Sequence, residues 1–102
     1  MAYTTYADMD NKLVNKEIFE GNSVTAVMRD KYYVVYSYAT VIAVITPSDK
    51  VVINVTKYSP TTSKMQNKLR RLFENARLMT VNKKNAFRDS YEVMQYAENF
   101  LK

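Results

Sequence analysis

Between Tyr58 and Leu69 the chain reads YSPTTSKMQNKL. Ser59, Thr61, Thr62 and Ser63 place four hydroxyls within five positions, and Lys64 follows directly. Two chemistries fit this cluster. The first is anion capture. A helix that begins at Pro60 leaves backbone N–H groups free, and hydroxyls with a lysine beside them complete a site for a phosphate. The second is helix initiation alone. Ser59 before Pro60 is an N-cap with proline in the first helical position, and Ser63 with Gln66 repeats the capping-box spacing. Both readings stand on the same residues.

Cations continue the pattern. On a helix running on from Pro60, Lys64, Lys68, Arg71 and Asn75 share one flank of an apolar stripe, and Arg70 and Arg77 share the other. Lys83, Lys84 and Arg88 extend the track. Such residues either straddle a phosphate backbone or lay their stems over the core. No arrangement among them reads base edges, so backbone contacts with strong salt dependence are the expectation. The charge is uneven: residues 64–88 hold eight bases and one acid, whereas residues 1–20 hold two bases and four acids. That asymmetry, with a net charge of +5, points to a polyanionic partner.

Other chemistry is largely excluded. The chain has no cysteine and no histidine. Thiolate and imidazole metal sites, disulfides, cysteine nucleophiles and histidine-dependent triads are therefore absent. A single glycine rules out phosphate-loop and dinucleotide fingerprints. Two unusual options survive: a serine–lysine pair, Ser59 or Ser63 with Lys64, and a magnesium site of carboxylates. Within the strand-rich region the only acids are Asp30 and Asp49, both in turn contexts. A non-catalytic protein without cofactor or metal is expected.

These residues need elements to hold them. With 102 residues and 47% apolar content, a single domain over residues 1–102 with one core is expected. Residues 5–20 read as a helix, with Thr5 and Asp8 as a capping box, Tyr6, Met9, Leu13 and Ile18 on one side, and Gly21 as its left-handed terminator. Residues 23–56 read as antiparallel sheet, with turns at RDK and TPSD and an ambiguous step at Tyr38 to Thr40. In YYVVYSY, Tyr32, Tyr36 and Tyr38 fall on one face and Tyr33 on the other, suited to cross-strand packing or to stacking unpaired bases. Residues 60–79 read as a helix with Met65, Leu69, Leu72, Phe73 and Ala76 in one stripe. Residues 86–101 read as another, with Phe87, Tyr91, Met94, Ala97 and Leu101 inward. The fold class expected is α+β: a three- to four-stranded antiparallel meander, in the order α-β-β-β-(β)-α-α, with one face covered by two or three helices.

Ser37, Tyr38, Thr40, Ile42 and Ala43, and then the run KYS-x-TTSK-x-QN from Lys57 with Asn54 before it, resemble a family of small uncharacterised proteins of tailed phages of Gram-positive bacteria. The likeness covers about the middle third of the chain. It implies a phage origin and a host-cytoplasm setting, and it brings no activity and no assigned site. The N-terminal segment lacks a signal-peptide pattern and no apolar run approaches a membrane span, so a soluble intracellular protein is expected. Three functions follow as expectations. One is a phage accessory protein that binds nucleic acid, or a nucleic-acid-handling host complex, through residues 59–88. Another is an anti-defence inhibitor of the anti-CRISPR type acting by protein–protein contact. The third is an assembly protein that forms homo-oligomers through a sheet edge.

Overall fold

The structure, a computed structural model, describes residues 4–100. A short helix, α1 (Met9–Val14), leads into six strands and two longer helices: β1 (Phe19–Glu20), β2 (Val24–Arg29), β3 (Tyr32–Ser37), β4 (Thr40–Ile45), β5 (Val51–Asn54), α2 (Pro60–Leu72), β6 (Arg77–Met79) and α3 (Ala86–Phe100). The strands form one sheet in sequence order. β1 to β5 pair antiparallel, and β6 joins β5 parallel, with Ile53 opposite Leu78. The expected three- to four-stranded meander is therefore corrected to a six-stranded mixed sheet.

The turns explain the meander within it. Asp30, Tyr38 and Asp49 have positive φ, at 55°, 55° and 64°. Asp30 and Tyr38 each open a two-residue hairpin loop, where positive φ matches the twist of the flanking strands. Tyr38–Ala39 is thus a tight turn, which resolves the ambiguous step between β3 and β4. At TPSD the Asp49 N–H donates to the Thr46 carbonyl at 2.9 Å, closing the four-residue turn expected there.

Helices cover both sheet faces, which corrects the one-sided packing. α1 and α2 supply Met9, Leu13, Met65 and Leu69 to one core, with Ala26, Tyr33, Val35, Ile53 and their neighbours. α3 supplies Val93 and Ala97 to the second, against Tyr32, Val34, Val44 and Val52. The reason lies in the central strands. YYVVYS, TVIAVI and VVIN are apolar at successive positions, so both faces need cover. A bulge between Val35 and Tyr36 sends adjacent residues Ile42 and Ala43 into the same core.

Several helix boundaries differ from expectation. The helix expected over residues 5–20 is confined to Met9–Val14. Thr5 and Asp8 do pair, the Asp8 N–H donating to Thr5 Oγ1 at 3.3 Å, but they tie down a turn ahead of the helix. Lys16, at φ 54°, takes the left-handed position assigned to Gly21, whose own φ is not positive. Gly21 is needed for space: a Cβ there would lie 2.6 Å from Met9 Cε and 3.1 Å from the Val24 carbonyl oxygen. The helix expected over residues 60–79 stops at Leu72, and Arg77–Met79 becomes the edge strand β6. α3 is rotated from its expected phase. Asp89 and Val93 face inward beside the expected Ala97, and Met94 packs partly buried against the second core, while Phe87 and Tyr91 are 80% and 59% exposed. Leu101 lies outside the described residues.

Candidate nucleic-acid interface

The motif KYS-x-TTSK-x-QN divides into an inward and an outward set. Ser59, in extended backbone conformation, caps α2: its hydroxyl accepts from the Thr62 N–H at 3.2 Å and donates to Thr62 Oγ1 at 3.1 Å. Thr62 is buried and bonds Ser37 Oγ across to β3 at 2.8 Å. Gln66 Nε2 donates to the carbonyls of Asn54 and Thr56 at 2.6 and 2.9 Å. Asn54 Nδ2 donates to the Val41 carbonyl and to the Tyr58 hydroxyl. Tyr58 in turn donates to the buried carboxylate of Asp89 at 2.8 Å, which also accepts the Lys84 N–H. Burial pushes the Tyr58 hydroxyl up to about 12; the Asn54 bond opposes the shift and Asp89 reinforces it. This network ties β5, α2 and the segment before α3 together. Of the four hydroxyls proposed for anion capture, Ser59 and Thr62 serve the fold; Thr61 is exposed and Ser63 half-buried, and neither side chain has a hydrogen bond among the described residues.

Lys68 is also withdrawn from the surface. It is 3% exposed and pairs with the Asp10 carboxylate, donates to the Tyr6 carbonyl at 2.9 Å, and stands 3.8 Å from the Tyr6 ring centroid. It anchors the segment before α1 onto α2, so it is corrected from a phosphate contact to a structural cation.

That anchoring builds one wall of a basic concavity. Tyr6, Lys64, Asn67, Arg70 and Arg71 line a cleft of about 740 Å³ along the outer side of α2. Three cations meet there without a carboxylate in the lining, and among the described residues none of the three has an ion-pair partner. Lys64 Nζ sits 4.7 Å from the Tyr6 ring centroid, and the Tyr6 hydroxyl reaches the Lys64 carbonyl at 3.4 Å. Tyr6 remains 37% exposed.

The remaining cations of the expected track lie elsewhere. Arg77 is on β6, its guanidinium 4.8 Å from the Phe100 ring centroid. Lys83 stands over Tyr58 at 5.8 Å, Lys84 precedes α3, and Arg88 is exposed on its first turn. The sequence track therefore divides: Lys64, Arg70 and Arg71 line the cleft, Arg77 lies on β6, and Lys83, Lys84 and Arg88 gather at the start of α3. Of the tyrosines offered for stacking, Tyr32 and Tyr33 are buried under the helices, Tyr36 is half-buried, and Tyr38 is 66% exposed in the turn after β3. Tyr6 and Asn67 were missed as site residues. Asn67 alone carries a sequence signal, its helical spacing from Lys64 and Arg71, whereas Tyr6 belongs to a segment whose docking on α2 no local pattern reveals.

Among the described residues no helix is long and apolar enough to cross a membrane, and no three carboxylates cluster as a metal site. No curated protein and no solved structure matches the chain. A family profile does, over residues 4–89, which include the whole cleft and the polar network behind it. The chain belongs to that family, DUF8033, a family of unknown function.

Proposed function

We propose that the protein binds nucleic acid along its phosphate backbone, without catalysis, through the cleft between Tyr6 and α2. The observation that carries this reading is the convergence of Lys64, Arg70 and Arg71 in one concavity with no carboxylate. Each is free of ion pairs among the described residues, so contact with phosphate breaks no ion pair among them. Asn67 adds an amide donor and acceptor, and the exposed Tyr6 ring adds a planar wall. In this reading the protein is a phage accessory factor working in the host cytoplasm. The sequence resemblance supports the phage setting, and a chain without cysteine suits a reducing compartment.

The test is fluorescence anisotropy with labelled single strands and duplexes. Affinity should fall steeply between about 50 and 200 mM salt. Arg70→Glu with Arg71→Glu should abolish binding while thermal unfolding is unchanged. Absence of binding to any strand or duplex at the lower salt would remove the proposal. A second reading, an anti-defence inhibitor acting on a host protein complex, is favoured by one specific feature: Phe87 and Tyr91 stand largely exposed on α3. Co-purification from host lysate that is lost on Phe87→Ser would support that reading; retention of every captured partner would count against it.

A further inference from the structure

Beyond Tyr6 and Lys64 the basic cleft meets a second one, of about 440 Å³, which has both of those residues in its own lining. Its chemistry differs. Met9, Val24 and Met65 give it apolar surface, and Asn22, Ser23 and Thr61 bring amide and hydroxyl groups. Among the described residues, the side chains of those three polar residues make no hydrogen bond. Among the described residues Lys64 is the only charged one lining it, and it stands at the boundary with the basic cleft. We infer that this second cleft takes one unstacked base while the basic cleft holds the adjoining phosphates, so that the protein recognises single-stranded nucleic acid in preference to duplex. The inference rests on the nucleic-acid reading of the basic cleft.

The fit is one of size and polarity. The volume falls in the range of small-ligand pockets, and apolar walls with a few polar groups suit a planar heterocycle with edge donors and acceptors. A base held in a duplex is stacked and paired on every side and cannot enter. A splayed base in a single strand can, and unpaired bases are what proteins grip by stacking and edge hydrogen bonds. Tyr6, which lines both clefts, lies where base and sugar–phosphate would join.

Binding is measured by anisotropy with a labelled ten-nucleotide single strand and its matched duplex at low salt. The single strand should bind at least about tenfold tighter. Thr61→Leu and Asn22→Leu each fill the second cleft with an aliphatic group that cannot stack, from exposed positions. Each should cost the single strand about tenfold and leave the duplex unchanged. Two variants from different segments guard against one of them misfolding, which thermal unfolding checks. Equal affinity of wild type for strand and duplex, or no effect of either substitution, overturns the base pocket and leaves the phosphate reading standing. A free mononucleotide that binds as tightly as the strand overturns strand recognition. No binding of either probe overturns both proposals.

Discussion

At the scale of residues, Lys68 and Arg71 show how far apart two neighbouring cations on one helix stand in role. Both carry a charge on a flexible stem, yet one is enclosed by Tyr6 and Asp10 and the other opens into the cleft. Reversing the charge at Lys68 places a carboxylate in a nearly closed site beside Asp10. Lys68→Glu should therefore destabilise the fold by about 3 kcal/mol in urea titration. Arg71→Glu should change stability by no more than about 0.5 kcal/mol. Equal stability of the two variants would contradict the anchoring role of Lys68. Tyr58 supplies a second test. Its hydroxyl titrates at about 12 in the folded protein against an ordinary value near 10, chiefly because it is buried. Burial also pushes the Tyr33 hydroxyl up, with the Glu17 charge adding to the effect. With folded values raised, the unfolded chain releases these protons first. The stabilisation is full below about pH 10 and is lost as pH rises through about 12. Urea titrations across that window should show stability falling with pH. Tyr58→Phe should flatten part of the fall, while lowering stability at neutral pH because Asp89 loses a buried donor.

At the scale of elements, the phase of α3 is the sharpest correction. Sequence spacing puts Phe87, Tyr91, Met94, Ala97 and Leu101 on one side. The structure keeps Ala97 inward and Met94 partly buried, but turns Asp89 and Val93 inward in place of Phe87 and Tyr91. Asp89 explains the difference: its carboxylate is held by Tyr58 and the Lys84 N–H, and that tie, together with Ser90 Oγ accepting the Val41 N–H at 3.0 Å, sets the rotation of the helix. Val93→Ala should cost about 2 kcal/mol, and Phe87→Ala close to nothing, in paired thermal or urea unfolding. The reverse ranking would restore the aromatic face as core. The same contrast marks what the sequence could disclose. The start of α2 was legible because Ser59 and Pro60 act locally. The strands of residues 23–56 were legible because β-branched runs and turn residues alternate there. The short strands Phe19–Glu20 and Arg77–Met79 were not. Each has three residues or fewer, too short to show a period; β1 pairs locally with Thr25–Ala26, and β6 is held by Val52–Asn54, about 25 residues away. The cleft was half legible, its cations read from α2 and its Tyr6 wall hidden in a tertiary contact.

At the scale of the whole molecule, a net charge of +5 does not say how many cations meet a phosphate backbone, because only Lys64, Arg70 and Arg71 line the cleft. Salt dependence counts them. Each phosphate neutralised on a single strand contributes about −0.7 to the slope of log affinity against log salt. Contact confined to Lys64, Arg70 and Arg71 predicts a slope of about −2. A strand that also wraps to Lys83, Lys84 and Arg88 would give about −4. The first value is expected, since Lys83, Lys84 and Arg88 stand at the start of α3, Lys83 over Tyr58, and none of them lines the cleft. Lys83→Glu with Lys84→Glu should then leave the slope unchanged, and Arg71→Glu should reduce its magnitude by at least about 0.7. These outcomes separate a local grip from general attraction to a basic protein. A slope near −4, lowered by the Lys83 and Lys84 substitutions, would show a strand path around the molecule and end the confinement of binding to the cleft.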